Sequence, residues 1–259
     1  SRIQCTADLM PADIVGTTVV EEDMATRSKT FRFRKGPIFH QLLLADEINR
    51  ATPKCQSAML EAMQERSVSV DGKTHQLPEP FFVLATQNPI EQEGTYPLPE
   101  AQVDRFMFKL IVDYPDLDSE RLILRQNTKS VNVDDLDSVV SSQAILNAQS
   151  VIHDIYVDEK VEDYVLNLVF ATRNPAEHGL NDLEGIIEYG ASPRATINLI
   201  RGAKARAFME HRGYITPEDI RYSGADVFRH RIILTYEAEA EELTTEDVIQ
   251  RLFEVVEVP

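Results

Sequence analysis

The sequence has little of several features, and each shortage excludes a class of protein. Its 259 residues include two cysteines, Cys5 and Cys55, without a CxxC spacing. This excludes a disulfide framework and favours a reducing cytoplasmic location. No apolar run approaches the length of about 18 residues that crosses a bilayer, so we expect no membrane span. The first residues have neither an initiator Met nor the pattern of a signal peptide.

Basic residues are also scarce, with 26 Lys and Arg against 43 Asp and Glu, a net charge of −17. Such a field repels phosphate backbones and anionic lipid, so we expect no nucleic-acid partner. Phe31 and Phe33 alternate with basic residues, a pattern that also occurs in nucleic-acid sites, but with this net charge we interpret it as one amphipathic strand. Apolar residues make up 43% of the chain, enough for a sizeable core and too many for a disordered protein.

The first part of the chain alternates between strand-like and helix-like segments. Short apolar runs, typical of strands buried in a parallel sheet, cover residues 42–45, 81–85 and 106–112. Thr52 followed by Pro53 predicts the start of a helix. Asp71-Gly72 predicts a hairpin turn. The order of these segments predicts an α/β fold with a parallel sheet.

The second part of the chain is predicted to be helical. Apolar residues recur at helical spacing over residues 161–169, and a last amphipathic segment covers 246–255. Ser192-Pro193 and Thr216-Pro217 predict two further helix starts. We expect an α/β core over residues 1–117 and an all-α domain over residues 118–259. The acidic run at 237–242 is interpreted as a solvated loop or face.

Asp46 and Glu47 directly follow the first predicted strand. Ligands of open parallel sheets bind outside the carboxyl ends of the strands. In ATPases with a phosphate-binding loop, one carboxylate there holds Mg²⁺ and a second polarises the attacking water. The alternative is an acidic pair that only caps the next helix.

Three further polar residues stand near predicted strand or helix ends. Asn88 follows the second strand and could orient a water, or Asn88-Pro89 could merely end the strand. Arg105 precedes the third predicted strand, where a surface ion pair is the alternative. Arg194 lies in the first turn of a predicted helix, where a cation is unfavourable. Its position indicates that it binds an external anion. The alternative is that the start of the helix tolerates an arginine.

Together these segments resemble the MoxR-type AAA+ ATPases. Residues 42–54 resemble the Walker B region of that family, and residues 85–106 resemble the region that includes sensor 1. Arg2-Ile3-Gln4 and residues 8–11 also match it, so that the resemblance covers essentially the whole chain.

The resemblance implies a role for each of the five polar residues. Asp46 would hold Mg²⁺, and Glu47 would be the general base. Asn88 would be sensor 1, which contacts the γ-phosphate of ATP and the attacking water. Arg105 would be the arginine finger that enters the nucleotide site of the next subunit. Arg194 would be sensor 2 on a helical lid, acting on its own subunit or on a neighbour.

The resemblance also implies an assembly and partners. The family forms rings, and we expect a homo-oligomer, in the form of a hexamer, that hydrolyses ATP to remodel or mature client proteins, including the insertion of metal cofactors. A protein with a von Willebrand factor A domain is a further expected partner. Residues 68–75 fit the hairpin before sensor 1, and residues 31–37 fit the insert in the second helix of the family.

One element of the family is absent from these 259 residues. No G-x-x-x-x-G-K-[ST] phosphate-binding loop occurs, and Gly72-Lys73-Thr74 does not supply one because Ser67 stands at the first glycine position. In the family this loop and its strand precede the segment matched by Arg2-Ile3-Gln4. We therefore expect that the sequence begins after the loop, that the sheet interior is exposed, and that these residues alone bind ATP weakly or not at all.

Other interpretations are weaker but distinct. The six histidines have no metal-ligand spacing, and Glu91 with Glu93 is interpreted as a loop rather than a glycosidase pair. A non-hydrolysing AAA+-derived scaffold is the main alternative function, favoured by the missing loop. The ATPase subunit of a metal chelatase is another.

Overall fold

The computed structural model describes residues 1–22, 29–89, 94–128 and 138–259, apart from the side chain of Asn127. The chain divides into two units, Ser1–Phe106 and Met107–Pro259. The domain boundary expected between residues 117 and 118 stays a prediction. Glu91 and Glu93 lie outside the described residues.

The first unit contains a parallel sheet and two hairpins. Its strands and helices are β1 (Arg2–Gln4), α1 (Pro11–Val15), β2 (Gly16–Glu22), β3 (Lys29–Lys35), β4 (Leu42–Asp46), α2 (Pro53–Glu65), β5 (Ser67–Val70), β6 (Lys73–Gln76), β7 (Phe82–Ala85) and α3 (Glu100–Val103). The parallel sheet has the order β1–β4–β7. Two of the three predicted strands are thereby confirmed.

One face of this sheet carries the core of the first unit. Leu43 and Ala45 of β4 are buried against Ile14 of α1 and Met59 of α2. The opposite face is more open, and Leu42, for example, is 61% exposed. The sequence predicts strands that are buried on both faces, but among the described residues only one face is covered.

β7 forms an edge of the described sheet. It pairs with β4, and no other described strand lies beside it. Phe82 and Leu84 on β7 are 53% and 50% exposed. Among the described residues β7 is thus an edge strand, and the expectation that the sequence begins after the phosphate-binding loop stays a prediction.

The local signals for α2 and the β5–β6 hairpin are confirmed. Thr52 is the N-cap of α2 and Pro53 is its first residue. Asp71 and Gly72 both have positive φ, 50° and 73°, as a two-residue turn of the type favoured by Asp-Gly requires.

The two hairpins of the first unit contact each other. β2 and β3 pair along their full length, and the predicted insert strand is thus β3. The ring of Phe33 stacks on His75 of β6 with 4.4 Å between centroids. The hydroxyl of Thr18 on β2 donates a hydrogen bond to Asp71 in the turn after β5, at 2.5 Å.

The predicted strand over residues 106–112 is wrong. Residues 108–116 carry no regular secondary structure, and no described strand pairs with them. The backbone N–H of Lys109 instead donates to the carbonyl of Asp226, at 2.9 Å. An apolar run becomes a strand only where a neighbouring strand completes the ladder of hydrogen bonds, and Leu110, Ile111 and Val112 remain exposed.

The second unit is built mainly of helices. Its elements are α4 (Leu117–Asn127), α5 (Ser142–His153), α6 (Glu159–Ala171), β8 (Ile187–Tyr189), α7 (Pro193–Met209), α8 (Pro217–Phe228), β9 (Ile233–Leu234), α9 (Tyr236–Ala240) and α10 (Thr245–Val255). The predicted starts at Pro193 and Pro217 are confirmed, with Ser192 and Thr216 as N-caps.

The core of the second unit joins these helices into one cluster. Tyr164, Val165 and Leu168 of α6 are buried with Leu199 of α7 and Phe228 of α8. The short antiparallel pair β8–β9 is an addition to the all-α architecture expected for this region. The acidic run at 237–242 overlaps α9, whose buried residue is Ala238.

None of the helices in the described part of the chain is long and apolar enough to span a bilayer.

Candidate active site

Asp46 and Glu47 lie at the carboxyl edge of the parallel sheet. The register of the strands places Gln4 opposite Asp46 and Ala85 opposite Ala45, so that β1, β4 and β7 all end at this edge. In open α/β sheets this is the edge at which ligands bind. Sheet topology therefore brings the first residues after β4 and β7 close together.

The carboxylate of Asp46 is fixed from two sides. The hydroxyl of Thr86 donates to its Oδ1 at 2.6 Å, and the guanidinium of Arg2 donates to its Oδ2 at 2.5 Å and 3.2 Å. The hydrogen bond from Thr86, and after it that from Arg2, holds the pKa of Asp46 below its usual value. Asp46 is thus an anion with a defined orientation, and its side chain is 24% exposed.

Glu47 is held in an unusual backbone conformation. Its φ of 56° and ψ of 52° are left-handed, a region in which a residue other than glycine is strained. Its Oε2 accepts hydrogen bonds from Gln4 Nε2 at 3.1 Å and from Arg50 Nη1 at 3.3 Å. Its backbone N–H donates to the hydroxyl of Thr86 at 2.9 Å. Glu47 therefore begins the turn Ile48–Arg50 with its carboxylate directed toward β1.

Asn88 follows β7 by three residues and is half-buried. Its backbone carbonyl accepts a hydrogen bond from Asn49 Nδ2 at 3.4 Å. The turn after β4 is thereby connected to the segment after β7. Asn49 itself is 9% exposed and its Oδ1 is buried.

Arg105 and Arg194 lie in different units. Arg105 follows α3 in the first unit, its side chain is exposed, and its backbone N–H donates to the carbonyl of Gln102 at 3.2 Å. Arg194 is exposed in the first turn of α7 in the second unit, where its backbone N–H donates to the hydroxyl of Ser192. Within the first unit, the structure brings Asp46 and Glu47 together.

Three residues that contact the acidic pair had no role in the sequence-based site. On β1, Arg2 donates to the carboxylate of Asp46 and Gln4 donates to that of Glu47. After β7, the hydroxyl of Thr86 accepts from the backbone N–H of Glu47. Arg2 and Gln4 are two positions apart, which places both on one side of a strand. This alternation is visible in the sequence, but only the pairing of β1 with β4 shows that both side chains lie beside the acids.

The oxygen atoms at this edge suit Mg²⁺. Mg²⁺ is commonly bound through one or two carboxylates, with waters and substrate phosphates as its other ligands. Asp46 provides an ionised carboxylate. The guanidinium of Arg2, itself a cation, lies beside this carboxylate in an ion pair. Among the described residues no group of three His, Cys, Asp or Glu side chains surrounds a common point.

The buried Cys5 is not activated as a nucleophile. Cys5 and Cys55 are free and buried. Burial, with a smaller effect of Cys55, raises the pKa of the Cys5 thiol to about 11. Cys5 therefore remains a neutral thiol at neutral pH, whereas the reactive form of cysteine is the thiolate.

Comparison with known proteins decides the family. Residues 1–108 match the ATPase family associated with various cellular activities (AAA), and residues 183–252 match the AAA lid domain. Chaperone MoxR1 of Mycobacterium tuberculosis is 45% identical over all of this chain and 67% of its own length. Protein YeaC of Bacillus subtilis is 41% identical, with 77% of its length covered. The chain belongs to the MoxR-type AAA+ ATPases.

A solved structure agrees with this assignment. The crystal structure of a protein from Cytophaga hutchinsonii assigned as an ATPase superposes with a TM-score of 0.92 at 46% identity, over all of this chain and 77% of that one. Protein MoxR of Paracoccus denitrificans is 33% identical over all of this chain and 79% of its own length. The MoxR-type chain thus has the AAA+ architecture of a parallel-sheet core followed by a helical lid.

Proposed function

We propose that this MoxR-type chain carries the hydrolytic site of an ATPase that uses Mg²⁺-ATP. The observation that carries the proposal is the orientation of the two carboxylates at the carboxyl edge of the sheet. Thr86 and Arg2 donate the set of hydrogen bonds to Asp46, and Gln4 and Arg50 donate the set to the carboxylate of Glu47. A pair of acids that only capped the next helix would need neither set.

The two acids have different roles in the proposed reaction. Asp46 stays ionised and holds the cation, directly or through a water. Glu47 accepts a hydrogen bond from the attacking water and polarises it toward the γ-phosphate. Mg²⁺, when bound, would neutralise charge on the phosphate oxygens. The hydrogen bonds from Gln4 and Arg50 direct the Glu47 carboxylate before the substrate arrives.

The remaining site residues would act on the phosphates. Asn88 orients the attacking water and contacts the γ-phosphate. Arg105 reaches the nucleotide site of a neighbouring subunit, where an arginine of this kind contributes a factor of about 10³–10⁵ to the rate. Arg194 on the lid contacts the phosphates of its own subunit or of a neighbour.

We further propose that the protein acts as a homo-oligomeric ring, with six subunits, that remodels or matures client proteins. The name of the Mycobacterium tuberculosis relative, a chaperone, supports work on other proteins. The β2–β3 and β5–β6 hairpins contact each other, and we assign the contact with a client to this pair of hairpins. We also propose that this chain is located in the cytoplasm. A protein with a von Willebrand factor A domain is a proposed partner.

The proposal is tested by ATP hydrolysis in the protein translated from the complete reading frame. We expect hydrolysis that depends on Mg²⁺ and stops when EDTA is added. Asp46→Asn should lower it by about a hundredfold or more. The control Asp154→Asn changes a carboxylate that is 84% exposed and should leave it unchanged. Full activity of Asp46→Asn would contradict the assignment of Asp46.

A non-hydrolysing scaffold is the second candidate, and the sequence feature that favours it is the lack of a G-x-x-x-x-G-K-[ST] motif in these residues. The coding sequence upstream of Ser1 distinguishes the two. A strand followed by a glycine-rich loop with Lys-Thr or Lys-Ser supports the ATPase. A start of translation at this point supports the scaffold.

A further inference from the structure

Thr86 makes an unusual set of contacts for an exposed residue after a strand. Its four hydrogen bonds reach four consecutive residues, Ala45 to Ile48. Its N–H donates to the carbonyl of Ala45 at 2.9 Å, and its carbonyl accepts from the N–H of Ile48 at 2.9 Å. Its hydroxyl donates to Asp46 Oδ1 at 2.6 Å and accepts from the N–H of Glu47 at 2.9 Å.

These four bonds separate into two kinds. The bonds to Ala45 and Ile48 use the backbone of Thr86 and would form with almost any residue at this position. The bonds to Asp46 and Glu47 use the hydroxyl, which is both a donor and an acceptor. Only serine or threonine can make both through one atom without changing the local shape.

The hydroxyl acts where the backbone is strained. Glu47 has a φ of 56°, and such conformations persist only where several neighbouring contacts impose them. The bond from the Glu47 N–H to Thr86 is one of these contacts. The same hydroxyl oxygen also donates a hydrogen bond to one carboxylate oxygen of Asp46. One atom of Thr86 therefore contacts both acidic residues.

We propose that Thr86 is a positioning residue that sets the orientation of Asp46 and Glu47 relative to each other. The proposal rests on the proposed ATPase function for its consequence, but the positioning itself belongs to this chain with or without nucleotide. Thr86 does not touch the substrate. It acts through the carboxylate of Asp46 and the backbone N–H of Glu47, and it links the end of β7, which leads to Asn88, to the end of β4.

Thr86→Val is the direct test, with Thr86→Ser as the matched control. Valine keeps the shape of threonine and removes the hydroxyl, whereas serine keeps the hydroxyl. Because Thr86 is exposed, neither change disturbs the core. Thr86→Ala is a second variant that removes the hydroxyl without placing a new methyl group at the site.

The first measurement is the rate of amide hydrogen exchange at single residues. NMR detects it in the protein from the complete reading frame. In Thr86→Val and Thr86→Ala the Glu47 amide should exchange about fivefold faster or more, as expected for the loss of one hydrogen bond. The Ile48 amide, bonded to the Thr86 backbone, should keep its wild-type rate. Thr86→Ser should restore the Glu47 rate. Unchanged exchange at Glu47 in both variants, or equal acceleration at Ile48, would overturn the proposal.

The second measurement is steady-state ATP hydrolysis. Misorientation of the acids should lower kcat by about tenfold to a hundredfold in Thr86→Val, while KM for ATP changes by less than about threefold. Thr86→Ser should recover kcat. A wild-type protein without ATPase activity would contradict the proposed function, and the exchange rates would still decide the role of Thr86. Wild-type kcat in Thr86→Val would overturn the proposal.

Discussion

Asp219, at the scale of single residues, is a carboxylate that is almost completely buried, with 1% of its surface exposed. Arg212 donates to both of its oxygens, at 2.9 Å and 2.6 Å, and the N–H of Thr216 adds a third bond at 2.8 Å. Burial raises the pKa of Asp219, but the hydrogen bonds from Arg212 and Thr216 outweigh it, and the pKa lies below its usual value.

This arrangement predicts the effect of Asp219→Asn. The change leaves Arg212 without this carboxylate and should lower the unfolding free energy by about 2–3 kcal/mol. The loss is smaller than for a fully buried ion pair because the side chain of Arg212 is partly exposed. Urea unfolding at neutral pH measures it. Asp182→Asn is the control, since Asp182 pairs with Arg251 at the surface and exposed pairs contribute little. Equal losses in the two variants would contradict the account.

The lowered pKa also fixes the sign of a pH dependence. The carboxylate of Asp219 contributes stability above the unfolded-state pKa, about 3.9. This contribution is lost as the pH falls through the lower pKa of the folded state. The difference in unfolding free energy between the wild type and Asp219→Asn should therefore shrink in acid. A difference that grows below pH 4 would contradict the assigned direction.

Residue-level prediction from the sequence identified the acids but not the groups that orient them. Asp46 and Glu47 are visible because two acids end an apolar run. Arg2, Gln4 and Thr86 contact them only because β1 and β7 flank β4 in the folded sheet, and the order of strands is not encoded in local spacing.

At the scale of elements, α6 shows how helical periodicity separates buried from exposed residues. Leu168 has no exposed surface, and Leu166 on the same helix is 41% exposed. Leu168→Ala should cost about 2–5 kcal/mol, because it leaves a cavity in the core of the second unit.

Leu166→Ala is the matched control for this prediction, and it should change the unfolding free energy by about 1 kcal/mol or less. Thermal unfolding of both variants provides the comparison. Similar melting temperatures would show that α6 does not pack through the face that contains Leu168.

Helices were predicted better than strands for a physical reason. Caps such as Thr52 and Ser192 satisfy the backbone of their own helix, and the signal is therefore local. The run at 106–112 has the composition of a strand but lacks a described pairing partner, and the backbone N–H of Lys109 bonds to Asp226 of α8 instead. The β8–β9 pair was missed because two or three residues carry too little pattern to be recognised.

At the scale of the whole molecule, the proposed ring requires one subunit to complete the site of another. Arg105→Ala and Glu47→Gln should each abolish hydrolysis when every subunit carries the change. In mixed rings, an Arg105→Ala subunit keeps Glu47 and can receive Arg105 from a Glu47→Gln neighbour. Equal mixing should restore about a quarter of the wild-type rate if subunits assemble randomly.

Mixing of Arg105→Ala with subunits that carry both changes is the control, since no intact arginine is then available. Activity that stays absent at every mixing ratio of the two single variants would contradict action between subunits. The excess of negative charge over the whole chain, −17, makes a localised cation for phosphate all the more necessary at such a site.

Glu47→Gln, in the protein from the complete reading frame, tests whether Glu47 activates the water that attacks ATP. Glutamine keeps the size of the side chain but is not a base. ATP affinity should stay within about threefold of the wild type, while single-turnover hydrolysis should fall by about a hundredfold to ten-thousandfold. Bound ATP that is hydrolysed at the wild-type rate would contradict the account.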